Sequence, residues 1–220
     1  MKMENKSGRK ILKWILLILF VILIIVITLI TRKMIIISNL QNKISQYKES
    51  SNYYAKILAY FEESKEITEC YVKEDSYLST IIHNNTGKVV EYCDGKIVNT
   101  YIDTIDGEKI LEVNGVPDKI LVADYLANID KFKSIFISIK SEKYNEQDCY
   151  YIEFSQNTDK IGVYINKETG LPMKACNGMS TNSNGEKFDN FIEYQYEFDV
   201  VTNEDIKEPD ITGYQMVDNL

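Results

Sequence analysis

The residue types that most often carry out chemistry in proteins are few in this chain and do not cluster along it. The one histidine, His83, lies beside the polar tetrapeptide Asn84-Asn85-Thr86-Gly87. A catalytic triad or a histidine-based metal site would require a nucleophile or further ligands next to it. We therefore interpret His83 as a surface residue of a strand.

Four cysteines, Cys70, Cys93, Cys149 and Cys176, could form disulfides or bind a metal, but no two are spaced as C-x-x-C. Two disulfides are possible in three pairings, and buried free thiols are the alternative. Cys149 and Cys176 lie on predicted strands that flank residues 161–166. In a simple meander they would be two strand spacings apart, about 9 to 10 Å, so we expect no bond between these two.

Carboxylates are abundant, but no second feature accompanies them. They occur as Glu62-Glu63, Glu204-Asp205 and Glu208 with Asp210, all in polar helical or turn contexts. A glycosidase needs two carboxylates that face one cleft, and a solvated acidic surface explains these residues without one. The sequence also contains no phosphate-binding loop, dinucleotide fingerprint, nucleophile elbow or EF-hand loop. We expect no enzymatic activity, no metal and no cofactor, and a hydrolase is the weakest alternative.

An unbroken run of eighteen uncharged residues, Trp14 to Thr31, predicts that the chain is located at a membrane. At about 1.5 Å per residue it spans roughly 27 Å, close to the thickness of the bilayer hydrocarbon. We predict a basic tail over 1–13 and a transmembrane helix over 14–36. A cleaved signal peptide is the alternative, but its apolar core is usually about 7 to 15 residues long and precedes a small-residue cleavage site.

The charges that flank this run predict its orientation. The cations before it are Lys2, Lys6, Arg9, Lys10 and Lys13, whereas Arg32 and Lys33 alone follow closely. By the positive-inside rule, the amino terminus stays in the cytoplasm and the carboxyl-terminal domain lies outside, so the chain is a single-pass signal anchor of the cell membrane. Residues 39–220 carry 18 Lys and Arg against 32 Asp and Glu, a net charge of about −14. Such a surface repels phosphates, which excludes nucleic acid as a partner.

The periodicity of apolar residues changes after the membrane span. From Ile37 to Phe61 they recur at three- and four-residue steps, which predicts a juxtamembrane amphipathic helix over 37–66, with a coiled-coil dimer through the same stripe as an alternative. From Ile67 the period becomes two, with one short helix predicted over 118–129 after Pro117. The predicted strands are 68–74, 77–84, 88–93, 97–103, 133–140, 148–155, 161–166, 171–176 and 188–201.

Two of these strands predict their own register. Asp94-Gly95 between apolar runs is typical of a two-residue type I′ hairpin, because Gly and Asp tolerate the positive φ that this turn needs. That turn would set Tyr92 opposite Ile97 and Val90 opposite Asn99. The alternation in 192–200 is the cleanest in the chain and predicts one buried and one solvated face.

These elements predict an α+β fold in which a curved antiparallel sheet, an unclosed β-barrel, wraps one or two helices. The domain would cover residues 67–210, followed by a tail over 211–220. A sandwich is the alternative. Alternation alone does not distinguish a lined cavity from a filled core on the concave side.

Three stretches resemble the LolA-like family of lipoprotein-sorting and carrier proteins, in its membrane-anchored bacterial form. They are VVEYCDGKIVNTYI (89–102), VYINKETGLPMKA (163–175) and YQYEFDVVTNEDIKEPD (194–210). The resemblance implies an unclosed barrel around helices, an apolar cavity for lipid acyl chains and no catalytic residues. This chain departs from the shuttling carriers because it has neither a cleavage site nor a lipobox, and a tethered domain does not cross an envelope.

The sequence therefore predicts a non-enzymatic, extracytoplasmic protein that binds a lipid, a lipoprotein or another apolar ligand. The alternative is a structural or regulatory module that binds another envelope protein and has no ligand cavity. A cavity lined by aromatic rings would favour the first function, and a filled interior the second. Alternation assigns these residues to the ligand-binding inner face: Tyr92, Ile97, Tyr101, Ile192, Tyr194, Tyr196 and Phe198.

Overall fold

The computed structural model describes residues 6–61, 64–114, 122–127, 129, 133–156, 159–181 and 187–217. Its helices are α1 (Lys6–Lys48) and α2 (Lys133–Phe136). The strands among the described residues are β1 (Asn52–Phe61), β2 (Ser64–Lys73), β3 (Ser76–His83), β4 (Gly87–Cys93), β5 (Val98–Thr104), β6 (Lys109–Asn114), β7 (Ser138–Tyr144), β8 (Gln147–Gln156), β9 (Asp159–Asn166), β10 (Pro172–Thr181), β11 (Lys187–Phe198) and β12 (Gln215–Val217).

All of these strands join one sheet in the order β12-β6-β5-β4-β3-β2-β1-β11-β10-β9-β8-β7. Two antiparallel meanders meet at the central pair of β1 with β11, and the one parallel pair is β12 with β6 at an edge. The sheet is curved and unclosed and wraps helix α1, which confirms the predicted fold class. β1, β6 and β12 are strands that the sequence did not predict.

Helix α1 has two parts with different surroundings. From Trp14 to Leu29 its large apolar side chains are exposed. By length and composition α1 is the helix among the described residues that could cross a membrane. Beyond Thr31 the same helix turns Ile37, Leu40 and Ile44 into the domain, where each is at most 3% exposed. The candidate membrane anchor therefore continues without a break into the core of the sheet.

The predicted helix over 37–66 is wrong in its second half, because α1 ends at Lys48. Residues 52–61 and 64–73 are instead the hairpin of β1 and β2. Tyr53 to Phe61 satisfies a helical and a strand period equally well, since its apolar residues lie at both spacings. Backbone pairing with a strand on either side, together with aromatic and β-branched side chains, favours the strand.

The predicted helix over 118–129 lies partly outside the described residues, namely at 118–121 and 128. Within the described part, residues 125–127 form a turn instead of a helix. The carboxylate of Asp124 accepts a hydrogen bond from the backbone N–H of Leu126 (2.9 Å), and this local bond competes with helical pairing. The strand predicted over 133–140 also begins later, at Ser138, because residues 133–136 form α2.

The hairpin of β4 and β5 forms, but its predicted register is wrong by two residues. Tyr92 pairs with Asn99, and Val90 pairs with Tyr101. The Asp94 carboxylate accepts hydrogen bonds from the backbone N–H groups of Lys96 (2.9 Å) and Ile97 (3.0 Å). This Asx-type turn makes a four-residue loop more stable than the expected two-residue turn.

Candidate interaction surfaces

The register across the sheet defines two faces, which we call inner and outer. Ala55 on β1 lies opposite Tyr196 on β11 and Cys70 on β2, and these residues face α1 on the inner face. Their neighbour Tyr54 lies opposite Glu197 and Tyr71 on the outer face. Side chains that are directly opposed across strands share a face, so this assignment extends from strand to strand.

The inner face is filled by the chain's own helix. Ile44 packs in one buried cluster with Tyr53 and Val98, and the ring of Tyr47 lies 4.6 Å from that of Phe198. A second cluster is built around Ile37 and Leu40, and its sheet residues include Ile152, Val163, Ile165 and Ala175. The side chains of α1 therefore occupy the space that an apolar ligand would need along this part of the sheet.

Residues 122–127 and 129 lie beside α1 on the same face. The Gln41 amide Nε2 donates hydrogen bonds to the carbonyl oxygens of Leu126 (2.8 Å) and Ile129 (3.1 Å). Lys48 forms an ion pair with Asp124, whose side chain is 9% exposed. Polar contacts thus hold this segment against the helix, while Leu126, at 0% exposed, joins the core.

Four of the seven predicted ligand-binding residues lie on the inner face, on β11. Tyr194 and Tyr196 stack with ring centroids 6.2 Å apart, and Tyr196 stacks in turn on Phe198 at 6.2 Å. The Tyr196 hydroxyl accepts a hydrogen bond from the Ala123 backbone N–H (3.2 Å), and the Tyr194 hydroxyl bonds that of Tyr125. Burial raises the pKa of Tyr196 to about 12, so it stays neutral. Ile192 is half-buried on the same face.

The other three predicted residues do not line the inner face. Tyr101 is 1% exposed on the outer face, and Tyr92 packs half-buried against the same outer cluster. Ile97 lies in the β4–β5 loop and is 47% exposed. The seven residues therefore do not share one cavity. Strands β4 and β5 bury apolar side chains on both faces, Cys93 and Val98 on the inner face and Val90 and Tyr101 on the outer face, so alternation alone did not decide which set faces α1.

The outer cluster is covered by the C-terminal segment, residues 199–217. The Tyr101 hydroxyl donates a hydrogen bond to Glu208 (2.8 Å), and Tyr214 packs edge-on against the Tyr101 ring at 5.4 Å. At the start of the segment, the Asn52 side chain bonds both the N–H and the carbonyl of Val201. This segment, which includes the start of the tail predicted over 211–220, is thus an ordered strap whose described part ends in strand β12.

The central part of the outer face carries a groove of about 240 Å³ that the sequence did not predict. Tyr54 and Tyr71 form its floor, with ring centroids 4.9 Å apart. The carboxylates of Glu197 and Asp205 line it, together with Val200 and Val201. The groove was missed because β1 was expected to be helical and because Asp205 reaches it only through the fold of the C-terminal segment.

The groove is anionic at neutral pH. Hydrogen bonds from the hydroxyl (2.7 Å) and backbone N–H (2.8 Å) of Thr202 hold the pKa of Asp205 below its usual range. Burial, and then the nearby carboxylates of Glu69 and Asp205, raise the pKa of Tyr71. Lys56 neutralises Glu69 at 2.7 Å. Two tyrosine faces beside the carboxylates of Glu197 and Asp205 form a site suited to a cationic side chain.

The four cysteines and His83 occupy separate structural positions in the described part of the chain. All four cysteines are free, and Cys70, Cys93 and Cys149 are buried. Burial raises the pKa of the Cys70 thiol to about 12, which keeps it protonated and unreactive. The imidazole Nδ1 of His83 accepts a hydrogen bond from the Asn85 N–H (3.1 Å) at a turn. Within the described residues, no three His, Cys, Asp or Glu side chains are grouped for metal binding.

The class of protein defined by this geometry is a half-barrel whose concave side is filled by the continuation of a candidate membrane helix. No protein-family model and no curated protein matches the sequence. An uncharacterized conserved protein from Thermus thermophilus has a similar structure, with a TM-score of 0.50 and 11% identity over 83% of this chain and 98% of that chain. At this identity the similarity is one of fold alone.

MucB gives a weaker structural match. In its complex with MucA from Pseudomonas aeruginosa it has a TM-score of 0.43 and 13% identity, covering 79% of this chain and 61% of that chain. A separate crystal structure of MucB also gives a TM-score of 0.43, over 78% of this chain and 62% of that chain. This chain therefore spans about three fifths of the length of MucB.

Proposed function

We propose that this chain is a non-enzymatic, single-pass, membrane-anchored module of the LolA-like type that binds another protein of the bacterial cell envelope outside the membrane. The observation that carries the proposal is the filled inner face: Ile37, Leu40 and Ile44 of the anchor helix are 3%, 2% and 2% exposed within it. A half-barrel that is occupied by its own helix is an interaction scaffold and not an open carrier.

The groove on the outer face is the surface that we assign to the partner. Half-buried tyrosines beside charged groups are characteristic of protein interfaces. The net charge of about −14 on residues 39–220 attracts a basic partner from a distance. The partner would then present a Lys or Arg side chain to the rings of Tyr54 and Tyr71, with Glu197 and Asp205 as its counter-ions.

We expect the chain to remain anchored with its carboxyl-terminal domain outside, because five cations precede the apolar run and two follow it closely. Protease added to intact cells should digest the domain, and alkaline carbonate should not extract the chain from membranes. A soluble product trimmed at its amino terminus would contradict the anchor.

We expect the double substitution Glu197→Gln with Asp205→Asn to weaken the binding of a labelled arginine–glycine peptide several-fold, because it removes both carboxylates from the groove. Binding would be measured by fluorescence anisotropy on the full chain in phosphatidylcholine nanodiscs, and the difference should shrink as salt screens exposed charges. Tyr71→Ala should also weaken binding, through loss of the aromatic face.

The control for this experiment has the same change in net charge away from the groove. Glu168→Gln with Asp106→Asn changes two exposed turn residues and should leave most of the affinity intact. Equal losses of affinity in the two double variants would show that peptide binding depends only on the overall charge of the chain. The groove would then no longer be assigned as the partner-binding surface.

Binding of a lipid or lipoprotein is the second candidate function. It is favoured by the ladder of Tyr194, Tyr196 and Phe198, whose rings remain only partly buried on the inner face. Native mass spectrometry of the full chain purified from membranes distinguishes the two candidates. A lipid retained by the wild type and by Gln195→Glu, but lost in Tyr196→Glu, would favour the carrier function over the interaction module.

A further inference from the structure

Among the side chains that the structure describes beyond Thr31, the most exposed aromatic one lies beside the candidate membrane span. Phe136, the last residue of α2, is 88% exposed, and its neighbour Ile135 is 36% exposed. Their other neighbours, Ser134 and Ile137, are 1% and 4% exposed. The short helix is therefore fixed to the domain by one side and presents an apolar surface on the other.

The position of α2 along α1 is fixed by Lys33. The Lys33 ammonium Nζ donates hydrogen bonds to the carbonyl oxygens of Ile137 (2.8 Å) and Ile135 (3.4 Å). Lys33 is two residues beyond Thr31, the end of the apolar run, which is about 3 Å along the helix axis. The polar headgroup layer on each side of a bilayer is roughly 5 to 8 Å thick. With the apolar run spanning the bilayer, Phe136 and Ile135 would lie at the level of the headgroups.

The side chains around α2 have the mixed apolar and cationic character that suits the headgroup layer of a bilayer. Ile35 of α1, in the next turn of the helix, is itself 54% exposed, so apolar surface continues past Thr31 on the helix as well. Arg32, which precedes Lys33, and Lys133, the first residue of α2, are both exposed cations, and cations near a bilayer surface are attracted to anionic lipids. An exposed aromatic ring flanked by cations is the usual composition of a membrane-interface contact.

We propose that α2 is a second membrane contact, through which Phe136 and Ile135 insert among the headgroups of the bilayer that α1 spans. The domain would then rest directly on the membrane, held by α1 and by α2. This inference rests on the proposed anchoring of α1, and the occupant of the apolar surface is the lipid itself.

The test places a tryptophan at the contact in the full chain, reconstituted in nanodiscs of phosphatidylethanolamine and phosphatidylglycerol. The chain has a single tryptophan, Trp14, so Phe136→Trp is made together with Trp14→Phe. We expect blue-shifted emission, strong quenching by lipids brominated in the upper acyl chain, and weak quenching by iodide. Phe136 is exposed, so the substitution leaves the core unchanged.

The matched control is Ile97→Trp with Trp14→Phe. Ile97 lies at the far end of α1 from the candidate membrane span. Its loop, which contains Gly95, lies next to Asp75, and the backbone N–H of the adjacent Glu74 donates a hydrogen bond to the Ser51 carbonyl just beyond the end of α1. That end, Lys48, is about 26 Å from Thr31 along the axis, so Ile97→Trp should emit as a water-exposed tryptophan.

The native Trp14 separates this inference from the anchoring on which it rests. Quenching of Trp14 by brominated lipid in the wild type, with no quenching at position 136, would overturn the second contact and leave the anchor standing. Failure to quench either tryptophan would overturn both. Quenching at position 136 no stronger than at position 97 would also overturn the second contact.

Discussion

Replacing Gly170 with alanine is expected to destabilise the domain by about 2 to 5 kcal/mol. Gly170 follows the turn between β9 and β10 and has a φ of +76°, and an L-residue in this region is strained by about 1 to 2 kcal/mol. A Cβ atom there would lie 2.7 Å from the Leu40 carbonyl oxygen and 3.0 Å from the Ile44 nitrogen. Both atoms belong to the backbone of α1, so overpacking adds about 1 to 3 kcal/mol.

Gly107→Ala is the matched control for this substitution. Gly107 has a φ of +87°, but a Cβ atom there would meet nothing within 4 Å, so the expected loss is the backbone strain alone, about 1 to 2 kcal/mol. Urea unfolding of the full chain in detergent micelles would measure both losses. Equal losses would mean that α1 does not approach the β9–β10 hairpin.

The second large effect is expected for Leu40→Ala, at about 2 to 5 kcal/mol. Leu40 is 2% exposed and packs in the same cluster as Leu126, Ile152 and Val163. Its truncation leaves a cavity between the helix and the sheet, which lowers the free energy of unfolding. The same urea titration measures the loss.

Asn39→Ala controls for the helix itself. Asn39 is the exposed neighbour of Leu40 on α1, and its replacement should change the stability by less than about 0.5 kcal/mol. A small loss for Leu40→Ala as well would show that the anchor helix does not contribute to the core of the domain. The structure also implies that a fragment beginning after Lys48 will not fold properly, because it lacks Ile37, Leu40 and Ile44.

The strands that the sequence predicted best are those with one buried and one solvated face. In β11 the inner residues Tyr194, Tyr196 and Phe198 alternate with Gln195 and Glu197, and a half-buried strand must follow this period. The fold class follows from such segments, because the apolar side chains that alternate along each strand must be buried together in one core. Local alternation was enough for this part of the structure.

The features that were mispredicted depend on contacts between distant residues. Tyr53 pairs with Phe198, which lies far along the chain, and no local pattern separates this strand from a helix. Tyr101 was assigned to the wrong face because the apolar cover of its strand, Tyr214, comes from the C-terminal segment. The groove over Tyr71 depends on the same segment, which supplies Asp205.

The unbroken course of α1 joins the candidate membrane span rigidly to the sheet. Residues Lys6–Lys48 form one helix with no intervening loop, so a span formed by its first half would have no hinge at the point where it leaves the bilayer. A rotation or a vertical displacement of the span, imposed by a neighbour in the membrane, would turn or lift the whole half-barrel with it. Each residue of an α-helix is rotated by about 100° around the helix axis relative to the one before it. The number of residues between Thr31 and Ile37 would therefore set the orientation of the outer face around the membrane normal.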